Sequence, residues 1–204
     1  MDTDIRRFDM QSEVFLTRAQ PFHKGHIEVI KQILKENNKA LVIIGSADKE
    51  DNDRNIFSIE KRLWLWQKIL QKNIFTADEA DRITLLTLND LSEDINIPKQ
   101  DNNTSIIDNA GMVNKEWGLY LYYNIVAAVN QKEFSIYYND DISIINAWFP
   151  QYLQQRINIK QRIRIDGISS SEIRTHIKNK NLEALKRDLF YLTETEIERL
   201  LNWR

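Results

Sequence analysis

Short apolar runs alternate with amphipathic helical patterns along this chain, and that alternation restricts the fold more than any other feature. The runs of strand length lie at residues 14–16, 41–44, 83–88 and 134–138. Between them, apolar side chains recur at helical spacing: Ile27, Ile30, Ile33 and Leu34; Leu63, Trp66, Ile69 and Leu70; Leu119, Tyr122, Tyr123 and Val126. Strands separated by helices pair in parallel beneath helices on both faces. We therefore predict an α/β fold, a Rossmann-like doubly wound parallel sheet with C-terminal helices.

The length of 204 residues predicts a single domain. Residues 162–165 alternate arginine with isoleucine and predict a last, half-exposed strand. Beyond it the pattern is helical, with a capping box from Thr193 to Glu196 and Trp203 as an anchor. The polar stretch 89–114 has no clear period, which is typical of a functional loop or an insertion.

Composition excludes several classes of function. The formal charge of −2 gives no general attraction to nucleic acid. The chain has no cysteine, which excludes disulfides, thiolate metal sites and a cysteine nucleophile. Residues 1–11 are polar, and the longest apolar runs have only strand length, so we expect no secretory signal and no membrane partner. A cytoplasmic protein is the expectation.

Two segments place anion-binding groups where a helix begins. Residues 18–26 read Arg-Ala-Gln-Pro-Phe-His-Lys-Gly-His, and residues 168–174 read Ile-Ser-Ser-Ser-Glu-Ile-Arg. Each follows an apolar run and opens a helical pattern, so each combines backbone N–H groups with polar and basic side chains. Two such helix starts on one domain indicate a nucleotide.

The histidines at positions 23 and 26 leave three readings open. If the helix starts near Gly25, both imidazoles and the free N–H groups of the first turn can face one bound anion. They can equally be two surface histidines of an ordinary strand-to-helix turn. A zinc site is the third reading, but the sequence offers no further ligand in a recognisable pattern.

The two segments together resemble the His-x-Gly-His nucleotidyltransferase superfamily. The run Gln20-Pro21-Phe22-His23 is similar to the nicotinamide-mononucleotide adenylyltransferases of the archaeal and related bacterial type. The resemblance extends to 45–47 (Gly-Ser-Ala), to 54–58 with Arg62, and to 114–117 (Asn-Lys-Glu-Trp). Ile56 and Lys61 depart from it, standing where the family has proline and glutamate. Residues 91–113 exceed the family's spacing and are interpreted as an inserted loop.

The resemblance implies adenylyl transfer from ATP to nicotinamide mononucleotide, giving NAD and pyrophosphate, with Mg²⁺ bound to ATP and no metal ligand from the protein. It implies three catalytic residues, His23, His26 and Arg174. It implies ATP phosphate contacts from Arg18, Arg54, Ser170 and Ser171, and adenine or ribose contacts from Gly45, Ser46, Ile168 and Ser169. It implies acceptor contacts from Asp90, Asn114 and Trp117. Another phosphorylated acceptor, such as nicotinate mononucleotide or pantetheine phosphate, or a nucleotide-binding module with little turnover, stays open, and so does a homo-oligomer.

Several of these residues also have purely structural readings. Ser169 and Glu172 have the spacing of a capping box, which needs no ligand. Trp117 can be a core residue, and Trp148 can pack at a turn. His176 is expected to face solvent. Trp64 and Trp66 are assigned to helix packing.

Overall fold

Five parallel strands form one sheet within the part of the chain that the computed structural model describes, residues 12–35, 38–50, 52–90, 114–138, 146–161 and 168–203. The strands are β1 (Ser12–Thr17), β2 (Lys39–Ile44), β3 (Ile83–Thr87), β4 (Phe134–Tyr138) and β5 (Ile157–Gln161). Their spatial order is β3-β2-β1-β4-β5, and every adjacent pair is parallel. The predicted doubly wound parallel sheet is confirmed.

Helices connect and cover the strands. They are α1 (Lys24–Lys35), α2 (Ile59–Gln71), α3 (Ala77–Asp81), α4 (Asn114–Val129), α5 (Gln151–Gln154), α6 (Ser170–Lys178), α7 (Leu182–Asp188) and α8 (Glu194–Asn202). None of the helices in the described ranges combines the length and the apolar character needed to cross a bilayer. Strand order reverses between β1 and β4, so a crevice is expected where the carboxyl ends of these strands diverge.

The central strands β1 and β2 are buried on both faces because helices cover both sides of the sheet. Successive side chains of a strand point to opposite sides and so enter different cores. On β1, Phe15 joins one core with α1, α2 and the C-terminal helices, whereas Val14 and Leu16 join a second core with α4 and α5. On β2, Val42 and Leu41 divide between the two cores in the same way. The near-continuous apolar runs of the sequence therefore reflect strands enclosed from both sides.

The buried faces of two helices differ from the predicted ones. On α2, Leu70 is 37% exposed, and the fully buried Arg62 belongs to the inward stripe instead. On α4, Tyr123 is 64% exposed, while Leu121 and Ile125 are buried. In both helices the apolar residues outnumber the positions that one stripe can hold, so periodicity alone misplaced the stripe by part of a turn.

Strand β5 was not predicted. β5 runs over Ile157–Gln161 and pairs with β4, although its isoleucines alternate with polar residues as clearly as those of the predicted strand. The predicted strand 162–165 and the predicted inserted loop 91–113 lie outside the described residues.

The C-terminal helix packs on α2 through aromatic and charged groups. The rings of Trp64 and Trp203 meet edge to face with centroids 5.2 Å apart, and the Arg199 guanidinium lies over both rings. The Lys61 ammonium donates a 3.0 Å hydrogen bond to the Trp203 carbonyl. Lys61, which replaces the glutamate of the resembling family, therefore fastens the end of the chain to α2. The role of Trp203 as an anchor is confirmed.

The capping box at the start of α8 is confirmed and creates a pH-dependent contact. Thr193 and Glu196 exchange hydrogen bonds between side chain and backbone, and Glu196 forms an ion pair with Lys68 at 2.8 Å. Partial burial raises the pKa of Glu196, but the hydrogen bonds from Lys68 and Thr193 outweigh burial and lower that pKa to about 2 from the usual 4.5.

Glu196 is expected to stabilise the fold above pH 4.5 and to lose that contribution as the pH falls towards 2, because its pKa is lower in the folded chain than in the unfolded one. A shift of this size corresponds to at most about 3 kcal/mol, which solvent screening reduces to roughly 1 kcal/mol. Urea unfolding between pH 5 and pH 2.5 measures it. Between pH 5 and pH 2.5, the free energy of unfolding should fall by roughly 1 kcal/mol less in Glu196→Gln than in the wild type. Glu198→Gln, at an exposed position of the same helix, should behave like the wild type.

Candidate functional site

Two histidines with their rings in close, tilted contact lie at the start of α1, directly beyond the carboxyl end of β1. The ring centroids of His23 and His26 are 3.8 Å apart, and the two residues are only 1% and 4% exposed. The reading as two surface histidines is therefore wrong. His26 also packs on Phe15 and Phe22, with ring centroids 5.8 Å apart in both cases.

Hydrogen bonds from the backbone assign the tautomer of both rings. The His23 N–H donates to His26 Nδ1 at 3.2 Å, and the Gly25 N–H donates to His23 Nδ1 at 3.1 Å. A nitrogen that accepts a hydrogen bond carries no proton, so each neutral imidazole has its proton on Nε2. His26 Nε2 lies 3.0 Å from Thr17 Oγ1. Both rings thus carry an Nε2–H donor at the end of the sheet, and that of His26 is directed at the Thr17 hydroxyl.

These bonds also correct one expectation about the helix start. The N–H groups of Gly25 and His26 are not free to face an anion, because they donate to His23 Nδ1 and to the His23 carbonyl. A Cβ added to Gly25 would lie 2.9 Å from His23 Cε1. Glycine is needed here for the imidazole of His23 rather than for a ligand, and the histidine side chains are the donors.

The side chain of Gln20 joins the loop after β1 to the loop before α2. Its amide nitrogen donates to the Phe57 carbonyl and its amide oxygen accepts from the Phe57 N–H, both at 2.9 Å. Gln20 is 1% exposed, so this paired contact is shielded from water. Arg54 lies on the same loop as Phe57. The contact between Gln20 and Phe57 therefore joins the loop that carries Arg54 to the segment that carries the histidines.

Three arginines from separate segments converge at this end of the sheet. Arg174 on α6 donates to the Gln20 carbonyl at 3.3 Å and to Ser171 Oγ at 2.9 Å. Burial and the positive charges of Arg18 and Arg54 lower the pKa of Arg174. None of the three forms an ion pair with any residue in the described ranges. Like charges held together without a carboxylate favour an anionic ligand.

The start of α6 supplies hydroxyl groups beside this cluster. Ser169 is the N-cap, because its side chain accepts a hydrogen bond from the Glu172 N–H at 3.1 Å. The role of Ser169 as a helix cap is therefore confirmed, although among the described residues no reciprocal hydrogen bond from the Glu172 side chain completes the predicted capping box. Ser170 and Ser171 begin the helix, and Ile168 packs against the core just before it. A cavity of about 510 Å³ borders Ser171 and Arg174 together with the loop that carries Arg54.

Arg62 connects the loops that follow β1 and β2. Its guanidinium donates to four carbonyls of these loops, those of Arg18, Gly45, Ser46 and Ala47, at 2.9 to 3.3 Å. The residue has no exposed surface. Burial lowers the pKa of Arg62, while the negative charges of Asp48 and Asp90 oppose that effect. The Arg62 side chain therefore holds Gly45 and Ser46 in place relative to the loop that follows β1.

A pair of acidic residues follows β2 and β3. Ser46, in the left-handed region with φ of 50°, donates its hydroxyl to Asp90 Oδ1 at 3.0 Å. The Asp90 N–H in turn donates to Asp48 Oδ1 at 2.7 Å. Burial and the charge of Asp48 raise the pKa of Tyr120 on α4. Ser46, Asp48 and Asp90 thus form a polar cluster at the carboxyl ends of β2 and β3, near Tyr120 of α4.

Trp117 lies inside the second core rather than on an open surface. It is 4% exposed and meets Trp148 edge to face with centroids 6.3 Å apart. A Cβ on the neighbouring Gly118 would lie 1.8 Å from the Trp148 carbonyl oxygen, so α4 and residue 148 are in close contact. The geometry favours the packing reading for both tryptophans. A ligand contact of Trp117 or of Asn114, the first residue of α4, stays a prediction.

His176 is the remaining histidine, and its expected exposure is wrong. Its Nδ1 lies 2.9 Å from the carboxylate of Asp188, which is 2% exposed. The Arg187 guanidinium holds the other oxygen of that carboxylate at 2.8 Å. His176 therefore links α6 to α7 and does not point towards the arginine cluster.

Sequence reasoning overlooked the groups that organise this site: Thr17, Gln20 and Asp48 received no role, and Arg62 was noted only through the resemblance. For Arg62 a signal existed, because residues 62, 65, 66 and 69 have the spacing of one helical stripe, with a charge among apolar residues. The contacts of the other three join residues far apart in sequence and left no local pattern. No group of three or more potential metal ligands gathers in the described part of the chain.

Comparisons with known proteins agree with this geometry. The family model described as cytidylyltransferase-like matches residues 14–176. The nicotinamide/nicotinic acid mononucleotide adenylyltransferase of Acinetobacter baylyi is 35% identical over 40% of this chain and 40% of its own length. The nicotinamide-nucleotide adenylyltransferase of Thermoplasma acidophilum is 42% identical over 27% of this chain and 31% of its own. The matches thus span less than half of these relatives.

Among solved structures, the chain is similar to a bifunctional NMN adenylyltransferase/ADP ribose pyrophosphatase of Francisella tularensis, solved with AMP and a manganese ion. The TM-score is 0.58 at 20% identity, covering 83% of this chain and 42% of that one. At this identity the likeness shows the fold. The resemblance inferred from the motifs is confirmed.

Proposed function

Because the chain belongs to the cytidylyltransferase-like family, we propose that it transfers the adenylyl group of ATP to nicotinamide mononucleotide, giving NAD and pyrophosphate. The observation that carries this proposal is the convergence of Arg18, Arg54 and Arg174, without a carboxylate partner among the described residues, on the end of the sheet that holds the histidine pair. A triphosphate supplies the negative charge that such a cluster requires. The curated relatives, named adenylyltransferases for nicotinamide nucleotides, support this acceptor.

In the proposed reaction a phosphate oxygen of nicotinamide mononucleotide attacks the α-phosphorus of ATP. The bond from that phosphorus to the β-phosphate bridging oxygen breaks, and pyrophosphate leaves with its electron pair. No covalent enzyme intermediate is needed, so positioning and charge stabilisation supply the catalysis. His23 would donate to a phosphate oxygen through Nε2, His26 would act on the phosphates through the Thr17 hydroxyl that its Nε2 contacts, and Arg174 would hold the leaving pyrophosphate.

We propose the other substrate contacts on the basis of the family resemblance. Arg18, Arg54, Ser170 and Ser171 would contact the β- and γ-phosphates. Gly45 and Ser46, together with Ile168 and Ser169, would meet the adenosine from two sides. Asp90, with Asn114 and Trp117 at the start of α4, would border the nicotinamide nucleotide.

Magnesium would enter as part of the nucleotide substrate, Mg²⁺–ATP. Such an ion commonly keeps several waters and binds through phosphate oxygens. Bound there, it would neutralise charge on the triphosphate. The manganese ion of the Francisella structure supports a divalent cation. We further propose that residues 1–204 act as one nucleotidyltransferase domain, with 91–113 as its inserted loop.

Incubation of the purified protein with Mg²⁺–ATP and one acceptor at a time tests the proposal. We expect NAD to form from nicotinamide mononucleotide with a higher kcat/KM than the products of nicotinate mononucleotide or pantetheine phosphate. A preference for either of these acceptors would contradict the proposed acceptor. Saturable ATP binding without release of pyrophosphate for any acceptor would contradict the proposed activity.

A further inference from the structure

We propose that the Thr17 hydroxyl is a further phosphate donor of this site, directed by His26. The inference rests on the proposed function for the identity of the anion, and on the hydrogen-bond geometry for the donor. Thr17 is the last residue of β1, half-buried, and its Oγ1 lies 3.0 Å from His26 Nε2.

The direction of that hydrogen bond follows from the other side of the ring. His26 Nδ1 accepts from the His23 N–H, so the neutral imidazole carries its proton on Nε2 and must donate to Thr17. The burial of His26, which is 4% exposed, and its packing against Phe22 hold the ring in this orientation.

A second donor occupies the remaining lone pair of the hydroxyl. The Ala19 N–H donates to Thr17 Oγ1 at 3.1 Å, which the left-handed backbone of Ala19, with φ of 48°, makes possible. A hydroxyl oxygen has two lone pairs and one proton. With both lone pairs engaged, the Thr17 O–H can act only as a donor.

No described residue accepts that proton. It lies where the carboxyl end of β1 meets the start of α1, next to Arg18 in sequence and beside the histidine pair. Two N–H groups that donate to the same oxygen polarise its O–H bond and strengthen it as a donor. The series of hydrogen bonds from the His23 N–H through His26 to Thr17 therefore ends in a hydroxyl proton that can be donated to an anion. We assign a phosphate oxygen of ATP as its acceptor.

Replacement of Thr17 by valine removes the hydroxyl at constant shape, whereas serine retains it. We expect Thr17→Val to weaken the binding of inorganic pyrophosphate, measured by calorimetry, and to lower kcat for NAD formation, each by about tenfold to a hundredfold. Thr17→Ser should stay within about threefold of the wild type in both. Thr84→Val, the same change at an exposed position of β3, should alter neither measurement.

The two measurements separate this inference from the proposed function. Weaker pyrophosphate binding in Thr17→Val but not in Thr17→Ser, with no NAD formed by the wild type, would support the donor and contradict the activity. Normal NAD synthesis and pyrophosphate affinity in Thr17→Val would contradict the donor while supporting the activity. Equal losses in the valine and serine variants would also overturn it, because the methyl group rather than the hydroxyl would then matter. A wild type that binds neither pyrophosphate nor ATP contradicts both.

Discussion

His26→Asn is expected to lower kcat for adenylyl transfer by about a hundredfold to a thousandfold, with a much smaller change in the KM for ATP. The asparagine amide can still accept from the His23 N–H, as Nδ1 does now. Asparagine is too short to reach the position of Nε2, so the hydrogen bond from residue 26 to Thr17 is lost. Loss of one preorganised donor to a developing oxyanion has an effect of this size in other enzymes.

Asparagine is preferred to alanine because His26 is buried against Phe15 and Phe22, and alanine would also leave a cavity. His26→Gln is the matched control, since its amide nitrogen can approach the position of Nε2 and should recover part of the rate. Steady-state kinetics of NAD formation, with thermal melting to verify the fold, makes the comparison. Wild-type turnover in His26→Asn would remove this histidine from the mechanism.

Arg62→Met is expected to have the largest effect on the fold itself. The substitution leaves the carbonyls of Arg18, Gly45, Ser46 and Ala47 without their buried donor. Each buried carbonyl left without a donor costs about 1–3 kcal/mol. We therefore expect a loss of about 3–5 kcal/mol, which corresponds to about 6–20 °C in Tm for a domain of this size. Differential scanning calorimetry measures it.

The same substitution should raise the KM for ATP, because these carbonyls belong to the loops that carry the proposed phosphate and adenosine contacts. Arg62→Lys retains the charge but not the planar fork of donors, and it should lie between the wild type and Arg62→Met. Arg82→Met is the control. Arg82 also donates to carbonyls, those of Leu34 and Asn38, but it precedes β3 at the opposite end of the sheet. It should lose stability without a change in KM, and equal KM values for Arg62→Met and the wild type would contradict the positioning role.

Strands β1 to β4 and the fold class could be predicted because they depend on local patterns, whereas β5 was missed. Val14 to Leu16 and residues 41–44 are apolar on both faces of the sheet, and parallel strands need that enclosure. The stripes of α2 and α4 could not be placed as reliably. In α2 a buried arginine takes a position that any hydrophobic scale assigns to solvent.

The site shows the same limit more sharply. The motifs identified which residues come together, as the contact between Arg174 and the Gln20 carbonyl illustrates. The orientation of the groups depends on contacts between distant residues, such as Gln20 with Phe57 and Arg62 with Gly45. For this reason the prediction of free N–H groups at the start of α1 was wrong. The Gly25 N–H donates to the ring of His23 instead. A sequence motif carries no information about such competition.

The fate of isotopically labelled ATP tests the central claim most directly. With nicotinamide mononucleotide present, label in the α-phosphate should appear in NAD, and label in the γ-phosphate should appear in pyrophosphate, in equal amounts. That result requires attack on the α-phosphorus with pyrophosphate as the leaving group, which is the reaction proposed for the site of the histidine pair and the three arginines. Release of the γ-label as inorganic phosphate, or of the α-label as free AMP without NAD, would show hydrolysis instead and contradict the account.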